Sequence, residues 1–184
     1  GWGWGRDRAS PTDAAGDWCF PRPMGTLLCP RWLAGNEGTQ LEKGDQIFPA
    51  MLEVIRSAER TITFENFLWK RGRISDEFAE ALAERSHAGV KVHFLQDALG
   101  CDDLHSPALN LLRRAPVELE IFRFLNLQMN YRTHRKLLVV GGKGGFIGGV
   151  GVADQWNGDR RANGGWRGAR DRRGGPGVAG RERR

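Results

Sequence analysis

Thr133-His134-Arg135-Lys136-Leu137-Leu138-Val139-Val140-Gly141 sets an imidazole and an ammonium two residues apart at the mouth of an apolar, β-branched run. Side chains of a strand alternate faces, so His134 and Lys136 point the same way. A buried ammonium beside an imidazole is costly unless an anion or a carboxylate pairs with it. One group of the pair can attack or carry a proton, and the other can hold an anion. That combination points to phosphoryl transfer. A glycine-rich turn follows. Beyond it, Gly148-Gly149 offers bare backbone that a phosphate could approach closely.

Outward from this stretch, helical and strand periodicities alternate. Ile47, Phe48, Met51, Leu52 and Ile55 fall at helical spacing, which predicts a helix over 46–58 with Asp45 as its N-cap. Thr61–Leu68 is β-branched and aromatic and reads as a strand. Ser75 caps a second helix that Gly89 ends, and Val90–Leu95 is the next strand. A short helix fits 106–114, Val117–Phe122 alternates strictly as a strand, and 123–132 is a polar-aromatic loop. The pattern predicts an α/β domain, a mixed β-sheet with helices packed on its faces. It spans 35–157. Residues 1–34 are an irregular Gly-, Pro- and Trp-rich segment, and 158–184 are a Gly/Arg-rich basic tail expected to be solvated and disordered.

The chain of 184 residues carries a formal charge of +6. The excess sits in the tail, where nine arginines face three acidic residues, while 1–157 are balanced. Three cysteines (Cys19, Cys29, Cys101), no CxxC and no histidine at ligand spacing argue against a zinc site or a disulfide framework. The compartment reads as reducing. No apolar run approaches the ~20 residues of a membrane span, and no signal peptide is evident, so the expected location is cytoplasmic or peripheral at the inner membrane. The glycines around Lys143 lack the spacing of a phosphate loop, and Gly149-Val150-Gly151 lacks the third glycine of a dinucleotide fingerprint. His87, His93 and His105 read as structural or surface residues.

His134-x-Lys136, position 141, and Gly148-Gly149 resemble the signature of the phospholipase D superfamily, which is His-x-Lys-x4-Asp followed after six residues by Gly-Gly or Gly-Ser. The surroundings are similar too. Gly35-Asn36, Leu41–Asp45, Phe48–Leu52, Ile55–Ala58, Ile62–Glu65 and Ala88–Val92 are similar to the first part of that domain, and Asn130–Lys136 and Gly149–Trp156 resemble its bacterial cardiolipin-synthase-like branch. The resemblance covers about 35–157. It implies a phosphodiester substrate, a phospholipid in that branch, and no cofactor or metal. Two such motifs meet in one active site. One histidine forms a phosphohistidine, the other protonates the leaving alcohol, and the lysines neutralise the non-bridging oxygens. By this resemblance His134 is the nucleophile or the acid and Lys136 the oxyanion clamp. Glu65 is the family's buried acid, and Asn130, Thr133, Gly148 and Gly149 are supporting residues.

Three departures stand out. Gly141 occupies the Asp position, and strand parity turns it away from His134 and Lys136. Gly168 occupies the position of the acid expected to orient the histidine. Only one motif is present. The resemblance therefore implies an N-terminal half that needs a second half, in cis in a longer protein or through a homodimer. The alternatives are a single-motif homodimeric nuclease or phosphodiesterase using the basic tail on nucleic acid, and a non-catalytic degenerate fragment.

Overall fold

The computed structural model describes residues 35–123, 134–141, 144–157 and 168–175. Asn130, Thr133, Cys19, Cys29, the segment 1–34 expected to be irregular, residues 124–132 of the expected loop, and residues 158–167 and 176–184 of the expected tail lie outside the described residues.

Seven strands form one mixed sheet. They are β1 (Glu37–Glu42), β2 (Thr61–Asn66), β3 (Lys91–Asp97), β4 (Val117–Phe122), β5 (Leu137–Val140), β6 (Gly144–Gly148) and β7 (Ala169–Gly174). Their order across the sheet is β1-β7-β6-β5-β2-β3-β4. Strand β2 runs parallel to β3, and β3 to β4. The other neighbours are antiparallel. Helices α1 (Gly44–Arg56), α2 (Arg73–His87) and α3 (Pro107–Arg114) supply the apolar cover. The expected α/β class and its mixed sheet are found.

Alternation decides which strand residues meet the helices. Ile62 and Phe64 of β2 and Val92 and Phe94 of β3 are buried, while their neighbours in sequence are more exposed. Phe64 stacks on Phe94 with centroids 5.1 Å apart, and on Phe78 of α2 at 5.9 Å. Phe48 of α1 meets Phe78 edge-on. These rings tie the two longer helices to the centre of the sheet, and aromatic pairs of this kind contribute about 0.5–1.5 kcal/mol each beyond burial.

Helix starts differ from the sequence expectation. Helix α1 begins at Gly44, with Lys43 at the cap position and Asp45 inside the first turn, where a carboxylate favours the helix dipole. Helix α2 begins one turn's reach before Ser75. Gly72 is its cap, and Ser75 Oγ accepts from Gly72 N at 3.1 Å. Its first amides are also capped from far away, because the Asp154 carboxylate accepts from Arg73 N (3.0 Å) and Ile74 N (2.8 Å). A cap supplied from 80 residues along the chain has no local sequence signal.

The tail expectation is corrected at Ala169–Gly174. This Arg-rich stretch is an interior strand, paired with β1 on one side and β6 on the other. It contains little apolar surface, so periodicity could not reveal it. Ladder hydrogen bonds on both edges hold it, and of its side chains only Arg170 is fully buried. The sheet therefore runs past residue 157. Strand β1 likewise had no sequence signal, since its side chains are nearly all exposed.

Candidate active site

His134 and Lys136 lie in the extended lead into β5, three and one residues before Leu137. Parity holds, and Lys136 Nζ lies 3.3 Å from His134 Nε2 and 3.5 Å from Nδ1. The imidazole is exposed, but one face of it leans on Phe67, with ring centroids 4.6 Å apart. The Lys136 ammonium sits 5.2 Å from the same ring centroid. Phe67 thus forms a wall that both groups share.

Lys136 belongs to a row of polar side chains running across the helix-facing side of the sheet. Asn66 of β2 pairs with Gln96 of β3. The β2–β5 and β5–β6 registers, continued by one residue, place Lys136 beside Asn66 and Gly148, and Gly148 pairs with Arg170. Directly opposed residues share a face, so Gln96, Asn66, Lys136 and Arg170 all point inward. They are 0, 1, 6 and 1% exposed. Asn66 Nδ2 donates to Gln96 Oε1 (3.3 Å) and to Leu68 O (2.7 Å), and Gln96 Nε2 donates to Phe67 O (2.7 Å). These amides brace the loop that carries Phe67.

Burial pulls the Lys136 ammonium below its ordinary value, and the positive charge of Arg170 adds to the shift. Burial likewise lowers the Arg170 guanidinium to about 10. Arg170 donates through Nε and Nη2 to Val150 O (3.2 and 2.6 Å), while among the described residues Nη1 meets only the thioether of Met51 at 3.3 Å. Among the described residues, neither cation has a carboxylate partner.

The other expected site residues divide. Glu65 pairs with Leu137, one position off the polar row, and so faces the opposite side of the sheet. Its Oε2 lies 2.7 Å from Arg135 Nε. It grips the residue between His134 and Lys136 and does not touch the pair. Gly148 is adjacent to the pair, but its lack of a side chain serves β7. A Cβ there would lie 2.5 Å from Ala169 O and 2.7 Å from Arg170 Cγ. Gly149 has open space around it, yet its N–H already donates to Ala169 O at 3.3 Å. The two glycines thus admit a neighbouring strand, where the sequence suggested free amides for phosphate.

Gly141 has φ +52° and ends β5 at the far side from Lys136, some 16 Å away at ~3.3 Å per residue. An acid there could not reach the pair. At Gly168 a Cβ would meet Val150 Cγ2 at 2.5 Å and the Trp156 ring at 2.8 Å. An aspartate cannot enter unless those side chains move. Asp171 pairs with Arg173 at 2.8 Å. No carboxylate bonds to His134 among the described residues.

Sequence reasoning missed Asn66, Gln96 and Arg170. A signal existed for the first two, since each polar residue extends an apolar alternation (Ile62, Phe64, Asn66; Val92, Phe94, Gln96) onto the core face. None existed for Arg170, one arginine among many.

No family model matches the chain. Individual proteins do. Cardiolipin synthase 2 of Bacillus cereus is 35% identical over 137 residues, 72% of this chain and 27% of that protein. Cardiolipin synthase A of Pseudomonas fluorescens is 34% identical over 161 residues, 85% of this chain and 33% of that protein. Among solved structures, a phospholipase D family member, Nuc from Salmonella typhimurium, superposes with a TM-score of 0.60 at 14% identity, covering 80% of this chain and 89% of the other. The chain belongs to the phospholipase D superfamily. NucT from Helicobacter pylori shares the fold as well, with a TM-score of 0.64 at 10% identity, covering 80% and 91%. The chain thus spans about a quarter to a third of the length of these cardiolipin synthases. Among the described residues, no helix is long and apolar enough to cross a membrane.

Proposed function

We propose that this domain carries one half of a phosphohistidine-forming phosphodiester site and acts in phosphatidyl transfer of the cardiolipin-synthase type. The observation that carries the reading is the His134–Lys136 pair, a solvent-facing imidazole 3.3 Å from a buried ammonium. A nucleophile must be reachable, whereas a cation that stabilises charge gains strength from a low-dielectric site. In the proposed step a ring nitrogen of His134 attacks phosphorus. A P–N bond forms and the P–O bond to the leaving alcohol breaks, with Lys136 beside the non-bridging oxygens. The leaving oxygen takes its proton from a second histidine, on a second His-x-Lys half that the chain meets in cis or as another copy. Water or an acceptor alcohol then releases the phosphoryl group. Glu65 and Arg135 steady the backbone between the two functional side chains. The substrate is a phospholipid headgroup diester presented at a membrane surface.

The test is covalent trapping. Phosphatidylglycerol labelled at phosphorus, presented in vesicles and quenched in alkali, leaves label on the wild-type chain and none on His134→Ala. Absence of label on the wild type, alone and mixed with a chain bearing a second His-x-Lys half, overturns the reading. A single-motif homodimeric phosphodiesterase or nuclease is the second reading. It is favoured by the near-complete coverage of Nuc and NucT, 89 and 91% of those chains. Light scattering that shows a dimer, together with cleavage of an oligonucleotide, would select it.

A further inference from the structure

We propose that Arg170 is a second cation of the anion site, acting together with Lys136 across the gap left by Gly148. The inference rests on the phosphodiester reading of that site and extends it to a residue that no motif marks.

Three observations converge. The first is placement. By register Lys136, Gly148 and Arg170 are successive members of one cross-strand row on the helix-facing side of the sheet, with an exposed glycine between the two buried cations. The position that a Cβ of Gly148 would occupy lies 2.7 Å from Arg170 Cγ, so the arginine stem runs over the glycine. The second is charge. Both cations are at most 6% exposed, and none of their partners among the described residues is a carboxylate: the Val150 carbonyl, the Met51 sulfur, and the ring and carbonyl of His134. Two like charges buried without a counter-charge are unfavourable, and an anion between them relieves both. The third is unspent donor capacity. A guanidinium has five N–H donors. Here the described acceptors are one carbonyl and one thioether, and a thioether is a weak acceptor.

Arg170 therefore does two things. It holds the Val150 carbonyl, which fixes the chain just after Gly148-Gly149. It also adds a positive field at Lys136, where a tetrahedral phosphate oxyanion binds. It is a positioning and electrostatic residue, and it needs no contact with the reacting phosphorus.

The test uses inorganic phosphate on the full chain, with ionic strength held constant by sodium chloride. Binding is read by calorimetry and by the rise in unfolding temperature. Wild type binds phosphate. Arg170→Met weakens that binding tenfold or more, in line with loss of a charge-assisted interaction of about 1.5–3 kcal/mol, while remaining folded in phosphate-free buffer. Arg170→Lys keeps the charge and restores most of the affinity, which a purely structural role would not do. Wild-type affinity in Arg170→Met overturns the inference. So does an Arg170→Lys protein that is folded but binds no better than Arg170→Met. If Arg170→Met does not fold, Arg170→Lys decides, since a folded lysine variant without phosphate binding is equally fatal. Loss of binding in Lys136→Met with full binding in Arg170→Met removes only the role of Arg170. A wild type that shows no phosphate binding at all removes the site reading as well.

Discussion

Two rows on the same face of the sheet lie two residues apart along each strand, and their chemistry is opposite. Phe94, Phe64, Leu138 and Phe146 make one row. Gln96, Asn66, Lys136, Gly148 and Arg170 make the other. Apart from the exposed Gly148, both are buried. The first row obtains its stability from contact with α1 and α2, because rings and aliphatic groups leave water at little cost. The second row buries polar groups and charge, which is favourable only where amides pair and an anion completes the set. The comparison shows where stability and function separate in this domain. The boundary falls within one pleat of the sheet, at the ends of β2 and β3 and the entrance to β5.

Substitutions can break that division, and the largest effect belongs in the apolar row. Phe64→Ala removes the ring stacked between Phe78 and Phe94 and should cost about 3–5 kcal/mol in denaturant unfolding. A loss below ~1 kcal/mol would mean that this row is not the structural core. Gly148→Ala comes next. Its methyl group would press on Ala169 O and Arg170, so unfolding should shift by about 1–3 kcal/mol. An unchanged midpoint would show that β7 does not pack as tightly on β6 as the register implies.

Asn66→Ala leaves Leu68 O without the Asn66 donor and Gln96 Oε1 without a partner among the contacts described. It should cost about 1–2 kcal/mol, and it should also weaken phosphate binding by loosening Phe67. Lys136→Met should cost little or even stabilise, since it removes a buried cation. Its pH signature is specific. The folded-state pKa of Lys136 lies below the ordinary 10.5, so between those two values the unfolded chain holds more protons than the folded one. Wild-type stability therefore gains a rising contribution as pH climbs through that window, and the methionine variant lacks it. Identical alkaline profiles would contradict the burial of the ammonium. The smallest stability effect belongs to His134→Ala. An exposed imidazole should change unfolding by no more than about 0.5 kcal/mol, yet the variant should lose all covalent labelling.

Legibility from sequence follows the same physics. The parallel half of the sheet, β2 to β4 with α2 and α3, was readable because its apolar residues recur at strand and helix periods. Asn66 and Gln96 sat in that readable half, but the apolar alternation that found their strands also hid them, since polar residues at the end of a run look like the start of a loop. In the antiparallel half, β1 and β7 present mostly polar, exposed side chains and are held by ladder bonds, so periodicity carries no information. The Asp154 cap on α2 and the Arg135–Glu65 pair join residues far apart in sequence, and nothing local announces them.

From its residues alone, the chain declares an α/β mixed sheet and the His134–Lys136 pair on one face, because alternation is a property of the local backbone. Tertiary structure decided the rest. It set Glu65 on the opposite face of the sheet from the pair. It used Gly148 to admit β7 and drew Arg170 out of an apparently solvated tail to lie across Gly148 from Lys136. Strand order and register set these outcomes, and both depend on which distant segments pair, a choice made by the whole sheet and not by any one of its strands.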